Sequence, residues 1–195
     1  MPALLEELPL AATAELGPFR RRDYLALPDE PRCELLYGSL YVSPSPSSLH
    51  QVVVTLLWDA LNRTTESSRG LALVAPLDVA LSDHSVVQPD VIYVSRERRS
   101  IVGERIEGAP DLLVEVRSPG TARRDRVQKL KLYAESGVAE YWIVDPEEKE
   151  IDFLVNEAGR FVVVIPDGEV YRSAVLAGVE LDIPAFWNRV ALKLS

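Results

Sequence analysis

The sequence predicts a mixed α/β (α+β) fold, one sheet with helices packed on it, and three observations predict it. Strand-length apolar runs dominate, with helical periodicity confined to a few segments. One strand–helix–strand crossover, Asp111 to Val144, joins two of the most apolar runs, where a doubly wound sheet would need several. A hydrophobic content of 47% over 195 residues is enough for one buried domain. The expected organisation is an N-terminal arm, residues 1–18, followed by a single domain, residues 19–195.

Taken in order, Phe19 to Leu27 reads as a short helix stopped by Pro28-Asp29-Glu30-Pro31. Cys33 to Tyr37 and Leu40 to Val42 flank Gly38-Ser39 and predict a β-hairpin. The Ser/Pro run from Ser43 to Ser48 is a loop feeding a helix over Leu49 to Thr64, whose apolar stripe is Val53, Leu56, Leu57, Ala60 and Leu61. Leu71 to Ala75 and Leu77 to Leu81 are strands separated by Pro76, and one strand is expected over Val86 to Val94. Asp111 to Val116 leads into a helix from Ala122 to Ser136, capped by Thr121 and stopped by Gly137, with Val127, Leu130, Tyr133 and Ala134 as its buried stripe. Ala139 to Val144 is a central strand, and Ile151 to Val155 with Phe161 to Ile165 forms a C-terminal β-hairpin. Trp58, Trp142 and Trp187 are expected in the core, as is Cys33, a lone thiol that rules out a thiolate metal cluster.

A net charge of −9 argues against a protein that coats nucleic acid nonspecifically, since such binding rests on phosphate neutralisation. The distribution is uneven: Arg117, Arg123, Arg124, Arg126, Lys129 and Lys131 face a single acid, Asp125, in their stretch. A basic strip next to carboxylates suits a phosphate-bearing substrate, although a solvated helix face has the same composition. No apolar run is long enough for a membrane helix, and the acidic start lacks the basic region of a signal peptide, so a cytoplasmic protein is expected.

The chemistry lies in acids set in apolar strands. An unpaired carboxylate in a buried strand costs several kcal/mol, roughly, unless a cation or a set of donors meets it. Asp90 shares a strand face with Ile92 and Val94, and Glu115 shares one with Leu113, so neighbouring strands would bring both acids to one end of the sheet. Two carboxylates, waters and substrate phosphate are a normal environment for a hard divalent cation. Separate salt bridges to arginines would also account for these acids. A lysine on the crossover helix could position the attacking water, and spacing does not choose between Lys129 and Lys131.

Several ordered motifs carry a resemblance: Glu34-Leu35-Leu36-Tyr37-Gly38, the Ser43-Pro44-Ser45-Pro46 loop before His50-Gln51, Gln88-Pro89-Asp90-Val91, Glu115-Val116-Arg117-Ser118-Pro119-Gly120-Thr121, Lys129-Leu130 with Tyr133, and Glu140-Tyr141-Trp142-Ile143-Val144-Asp145-Pro146. In these, from roughly Leu27 to Leu154, the chain resembles the Uma-two family within the PD-(D/E)xK nuclease superfamily. The resemblance implies a restriction-endonuclease-like core and a divalent-metal-dependent endonuclease acting on nucleic acid, DNA above all. It implies Asp90 and Glu115 as metal ligands, Lys129 as the catalytic lysine and Glu34 as a further acid of the site; the expected cation is Mg²⁺ or Mn²⁺, with the Val116 carbonyl as a further ligand. His50, Gln88, Arg117, Arg123 and Arg124 are the expected cleft or phosphate contacts. Where the superfamily has the lysine of its Glu-x-Lys, this chain has Arg117, which cannot act as a base. A homodimer would let such a core cut two strands. Two other classes fit the residues: a nuclease-fold nucleic-acid-binding or regulatory module without turnover, and a hydrolase of another substrate using Glu34 and Glu115 as acid and base.

Overall fold

Two sheets, not one, organise the chain in the computed structural model, which describes residues 16–28, 30–118, 125–173 and 175–195. In chain order the elements are α1 (Arg21–Tyr24), β1 (Cys33–Leu36), β2 (Ser39–Val42), α2 (Ser48–Ser68), β3 (Leu71–Val74), β4 (Val79–Ser82), β5 (Ser85–Val87), β6 (Val91–Val94), β7 (Ile106–Glu107) and β8 (Leu112–Val116). There follow a π-helical turn over Asp125–Lys129, α3 (Leu130–Ser136), β9 (Glu140–Asp145), β10 (Glu150–Glu157), β11 (Arg160–Val164), β12 (Val170–Arg172), β13 (Glu180–Asp182) and α4 (Ile183–Leu194). The larger sheet runs β11-β10-β9-β8-β6-β3 and the smaller β2-β1-β5-β4-β7, with β12 and β13 as a separate pair. In the larger sheet only β8 and β9 are parallel, as the predicted crossover requires.

Each face of the larger sheet buries its own core, because strand alternation sends successive side chains to opposite sides. One face packs Val91, Tyr93, Leu112, Val114 and Trp142 against Val53, Leu57 and Leu61 of α2 and Phe186 and Val190 of α4. The other packs Ile92, Val94, Leu113, Tyr141 and Ile143 against Leu132 and Tyr133 of α3 and against Leu36, Val79 and Val87 of the smaller sheet. β9, with Tyr141, Trp142 and Val144 fully buried, is the central strand the sequence predicts.

The chain differs from the expected elements in five further respects. The single strand over Val86–Val94 is two: β5 ends at Val87 in the smaller sheet and β6 starts at Val91 in the larger. Pro89 has no N–H to donate to a ladder, so the chain changes sheets at Gln88–Asp90. The first hairpin turns on Tyr37-Gly38, one residue earlier than expected: Leu36 pairs with Ser39 and both turn residues have positive φ, 48° and 78°. That is the twist favoured in two-residue hairpins. Val127 is 63% exposed instead of buried, because the π turn widens the helix and rotates that residue outward while Lys129 turns in. Finally, Cys33 is only half-buried, and β12, β13 and α4 had no counterpart in the expected elements. Gly137 ends α3 as predicted, in the left-handed conformation at φ 85°. Thr121, Arg123, Arg124 and residues 1–15 of the expected arm lie outside the described residues.

Candidate active site

The site forms where the chain crosses from one sheet to the other. β6 and β8 pair Val91 with Val114, so one further step sets Asp90 opposite Glu115 at the sheet end. Glu115 lies on the face that packs against α3, while β1 brings Glu34 from the smaller sheet into the same space. Lys129 Nζ joins the two acids, 2.9 Å from Glu34 Oε1 and 2.8 Å from Glu115 Oε1. All three are nearly inaccessible: Glu34 is 2% exposed, Glu115 5% and Lys129 2%. The Tyr133 hydroxyl, one helical turn from Lys129, donates to the same Glu115 oxygen at 2.7 Å. Burial, followed by the negative charge of Glu115, holds the Tyr133 pKa well above its ordinary value, so the phenol remains a neutral donor.

Asp90 is held separately. Its Oδ2 accepts the Val116 N–H at 2.7 Å and lies 3.3 Å from His50 Nε2. His50 reaches it from the first turn of α2, where the Ser47 side chain caps the His50 N–H at 3.2 Å. Burial lowers the His50 pKa, but the hydrogen bond and charge of Asp90, with the Val116 carbonyl, outweigh it and raise the value overall. Arg117 N–H donates to Val144 across the parallel ladder, which turns the Val116 main-chain groups the other way, toward Asp90 and His50. Gln88 fixes Glu34 through its backbone N–H, 2.8 Å from Oε1.

These groups enclose a cavity of about 100 Å³, walled by Glu34, Asp90, Glu115, Val116, Lys129 and His50, with the Ser43–Pro46 loop at its mouth. Three carboxylates against the Lys129 ammonium and the Arg32 guanidinium, which lines the same cavity, leave an excess of negative charge in a partly desolvated space that a divalent cation would offset. Asp90 Oδ1 accepts no hydrogen bond among the described residues, and the donor set is oxygen throughout. The residues therefore fit a hard divalent ion. No three His, Cys, Asp or Glu side chains form a ready metal cluster among the described residues.

Of the expected contacts, His50 and Gln88 line the cavity. Arg117 is not among the residues that line it, and its Nη1 is paired with Asp145 Oδ2 at 2.5 Å. Arg123 and Arg124 lie outside the described residues. Tyr133 is expected from the sequence only as part of the buried stripe, although its i,i+4 spacing from Lys129 puts both on one helix face. Arg32, two residues before Glu34 and therefore on the same strand face, is not among the expected site residues.

A mixed sheet with one parallel pair bridged by a helix, with acids gathered at its end and helices packed on it, makes the molecule a mixed α/β protein. The chain belongs to the Uma2 family, described as "Putative restriction endonuclease", whose model matches residues 21–184. Among solved structures it is similar to a "putative nuclease belonging to DUF820" from Anabaena variabilis, with a TM-score of 0.76 over 89% of this chain and 99% of that one. At 20% identity that likeness concerns the fold. No curated protein matches the chain. No described helix is long and apolar enough to cross a membrane.

Proposed function

We propose that the protein is a divalent-metal-dependent endonuclease that hydrolyses phosphodiester bonds in nucleic acid, with DNA the expected substrate. The observation that carries this reading is the Glu34–Lys129–Glu115 bridge lying within one cavity with Asp90. Asp90, Glu115 and the Val116 carbonyl would hold Mg²⁺ or Mn²⁺. Such an ion, when bound, polarises a phosphoryl oxygen and lowers the pKa of a bound water.

The chain's own groups supply the rest. Two carboxylates hold the Lys129 ammonium at a fixed point, where it can orient the attacking water and meet charge developing on the phosphate. Tyr133 and Lys129 together keep one Glu115 oxygen occupied, which fixes the orientation of that carboxylate. His50 and the Val116 N–H do the same for Asp90. The reading of Glu34 and Glu115 as acid and base on another substrate fits less well, because both are tied to one ammonium and neither is poised to exchange a proton.

The test is cleavage of plasmid DNA with Mg²⁺ or Mn²⁺ by the wild-type protein, Glu115→Gln and Lys129→Met. The reading expects metal-dependent cleavage, abolished by EDTA and reduced on the order of 10²-fold or more in both variants. Cleavage that Glu115→Gln leaves unchanged would sink it.

A further inference from the structure

Among the described residues, Arg32 is a cation of this site whose side chain has no protein partner. It precedes Glu34 by two residues, is half-buried, and lines the cavity that holds the acids. Among the described residues its guanidinium makes no hydrogen bond or ion pair, though it lies close enough to His50 to oppose protonation of that ring. The same side chain also lines a second cavity, of about 370 Å³, which opens beside the first. Gln88 stands between the two: its backbone N–H holds Glu34 on one side, and its side-chain amide donates to Asp78 at 3.0 Å on the other. The wall of the second cavity is amphipathic: Leu25, Leu27 and Pro76 line it together with Arg105, Glu30 and Asp78, the last already engaged by Gln88 and Tyr24. Leu25 and Leu27 are both exposed hydrophobics, 43% and 38% accessible.

An arginine in a site dominated by carboxylates would ordinarily collapse onto one of them. Here Lys129 bridges Glu34 and Glu115, while the Val116 N–H and His50 engage Asp90, so Arg32 is left facing the open volume. A guanidinium presents a planar fork of donors that matches a phosphate, and an apolar ledge next to it suits a base and sugar. We propose that Arg32 holds a non-scissile phosphate of the bound nucleic-acid strand, the one adjoining the scissile position, and that the second cavity receives the nucleoside beyond it. The role goes with the nuclease reading, which it deepens: Arg32 fixes the register of the strand, while Lys129 and the carboxylates act on the neighbouring phosphate.

The test scans a labelled single-stranded oligonucleotide in which one phosphate at a time is a neutral methylphosphonate, with binding measured by fluorescence anisotropy in Ca²⁺ and cleavage mapped separately in Mg²⁺. In the wild type one position next to the scissile phosphate should weaken binding about tenfold. Arg32→Ala should bind the unmodified strand about tenfold more weakly, lose sensitivity at that position alone, and show a salt dependence shallower by about 0.7 per lost phosphate contact. Arg32→Lys, which keeps the charge, should recover the salt dependence but not the full affinity. A wild-type protein that cleaves while Arg32→Ala retains the affinity, salt slope and positional sensitivity overturns the assignment and leaves the metal-site reading standing. Positional coupling without any metal-dependent cleavage supports Arg32 and removes the nuclease reading instead. Unchanged melting temperatures in both variants separate either result from misfolding.

Discussion

Replacing Lys129 with methionine keeps most of the side-chain volume and removes the ammonium from between two buried acids. Glu34 and Glu115 then keep their donors from Gln88 and Tyr133 but lose the ammonium that bridges them. Breaking a buried ion pair by deleting one partner costs about 3–5 kcal/mol, because the remaining charge stays desolvated. In a chain of this length each kcal/mol moves the melting temperature by about 2–4 °C, so Lys129→Met should melt roughly 6–20 °C below wild type. Adding Glu34→Gln should return part of that loss, since it removes one of the stranded charges, and the two substitutions are then strongly non-additive. Urea denaturation at neutral pH, followed by fluorescence of the buried Trp142, reads both effects. A Lys129→Met protein within about 1 kcal/mol of wild type would refute the argument, because two truly buried carboxylates could not lose their cation so cheaply.

Two predictions concern parts of the fold away from the cavity. Glu140 is 0% exposed and has no ion pair among the described residues; its carboxylate accepts Trp142 Nε1 at 2.6 Å, Tyr171 Oη at 2.7 Å and the Ser173 hydroxyl, tying β12 to the central strand. Glu140→Leu strands those donors and should cost more than about 3 kcal/mol in urea denaturation, whereas a loss below about 1 kcal/mol would show the contacts to be dispensable. Asp59 lies 2.7 Å from both Arg63 and Arg189 and fastens α2 to α4. The Arg189 hydrogen bond, followed by the charge of Arg63, lowers the Asp59 pKa. A depressed carboxylate stabilises the fold above its unfolded value of about 3.9, and the benefit fades as pH falls through the folded value. The pair is largely solvent-screened, so Asp59→Asn should cost less than about 1 kcal/mol at pH 7, and the difference should vanish near pH 2. A difference that grows on acidification would contradict the sign.

The acids were readable because each sits at an alternating position in an apolar run, and alternation survives whatever the sheet order. Glu115 next to Leu113 and Val114 needed no tertiary information to mark it as costly. The strand change at Pro89 was not readable from alternation, since Val86 to Val94 is apolar on both sides of the break and only the pairing with β1 or β8 tells the halves apart. Proline at its centre was the available warning. Choosing Lys129 over Lys131 needed the hairpin that carries Glu34 to be folded against α3, a contact between residues 95 apart in sequence, and the resemblance supplied it where spacing did not. Val127 misled because helical periodicity assumes 3.6 residues per turn, and the π turn breaks that count just before the lysine. The C-terminal unit was missed despite a legible signal: Asp182 before Pro184 is a cap and first-turn proline, and Phe186 with Val190 gives the i,i+4 buried pair.

The claim on which the account rests is that Asp90 and Glu115 share one divalent ion. A crystal soaked in Mn²⁺ and measured at the manganese absorption edge tests it directly. The account predicts a single anomalous peak in the cavity, within about 2.0–2.6 Å of a carboxylate oxygen from each acid, and its loss in Glu115→Gln. A saturated crystal with no peak there, or with manganese bound only elsewhere, would contradict it.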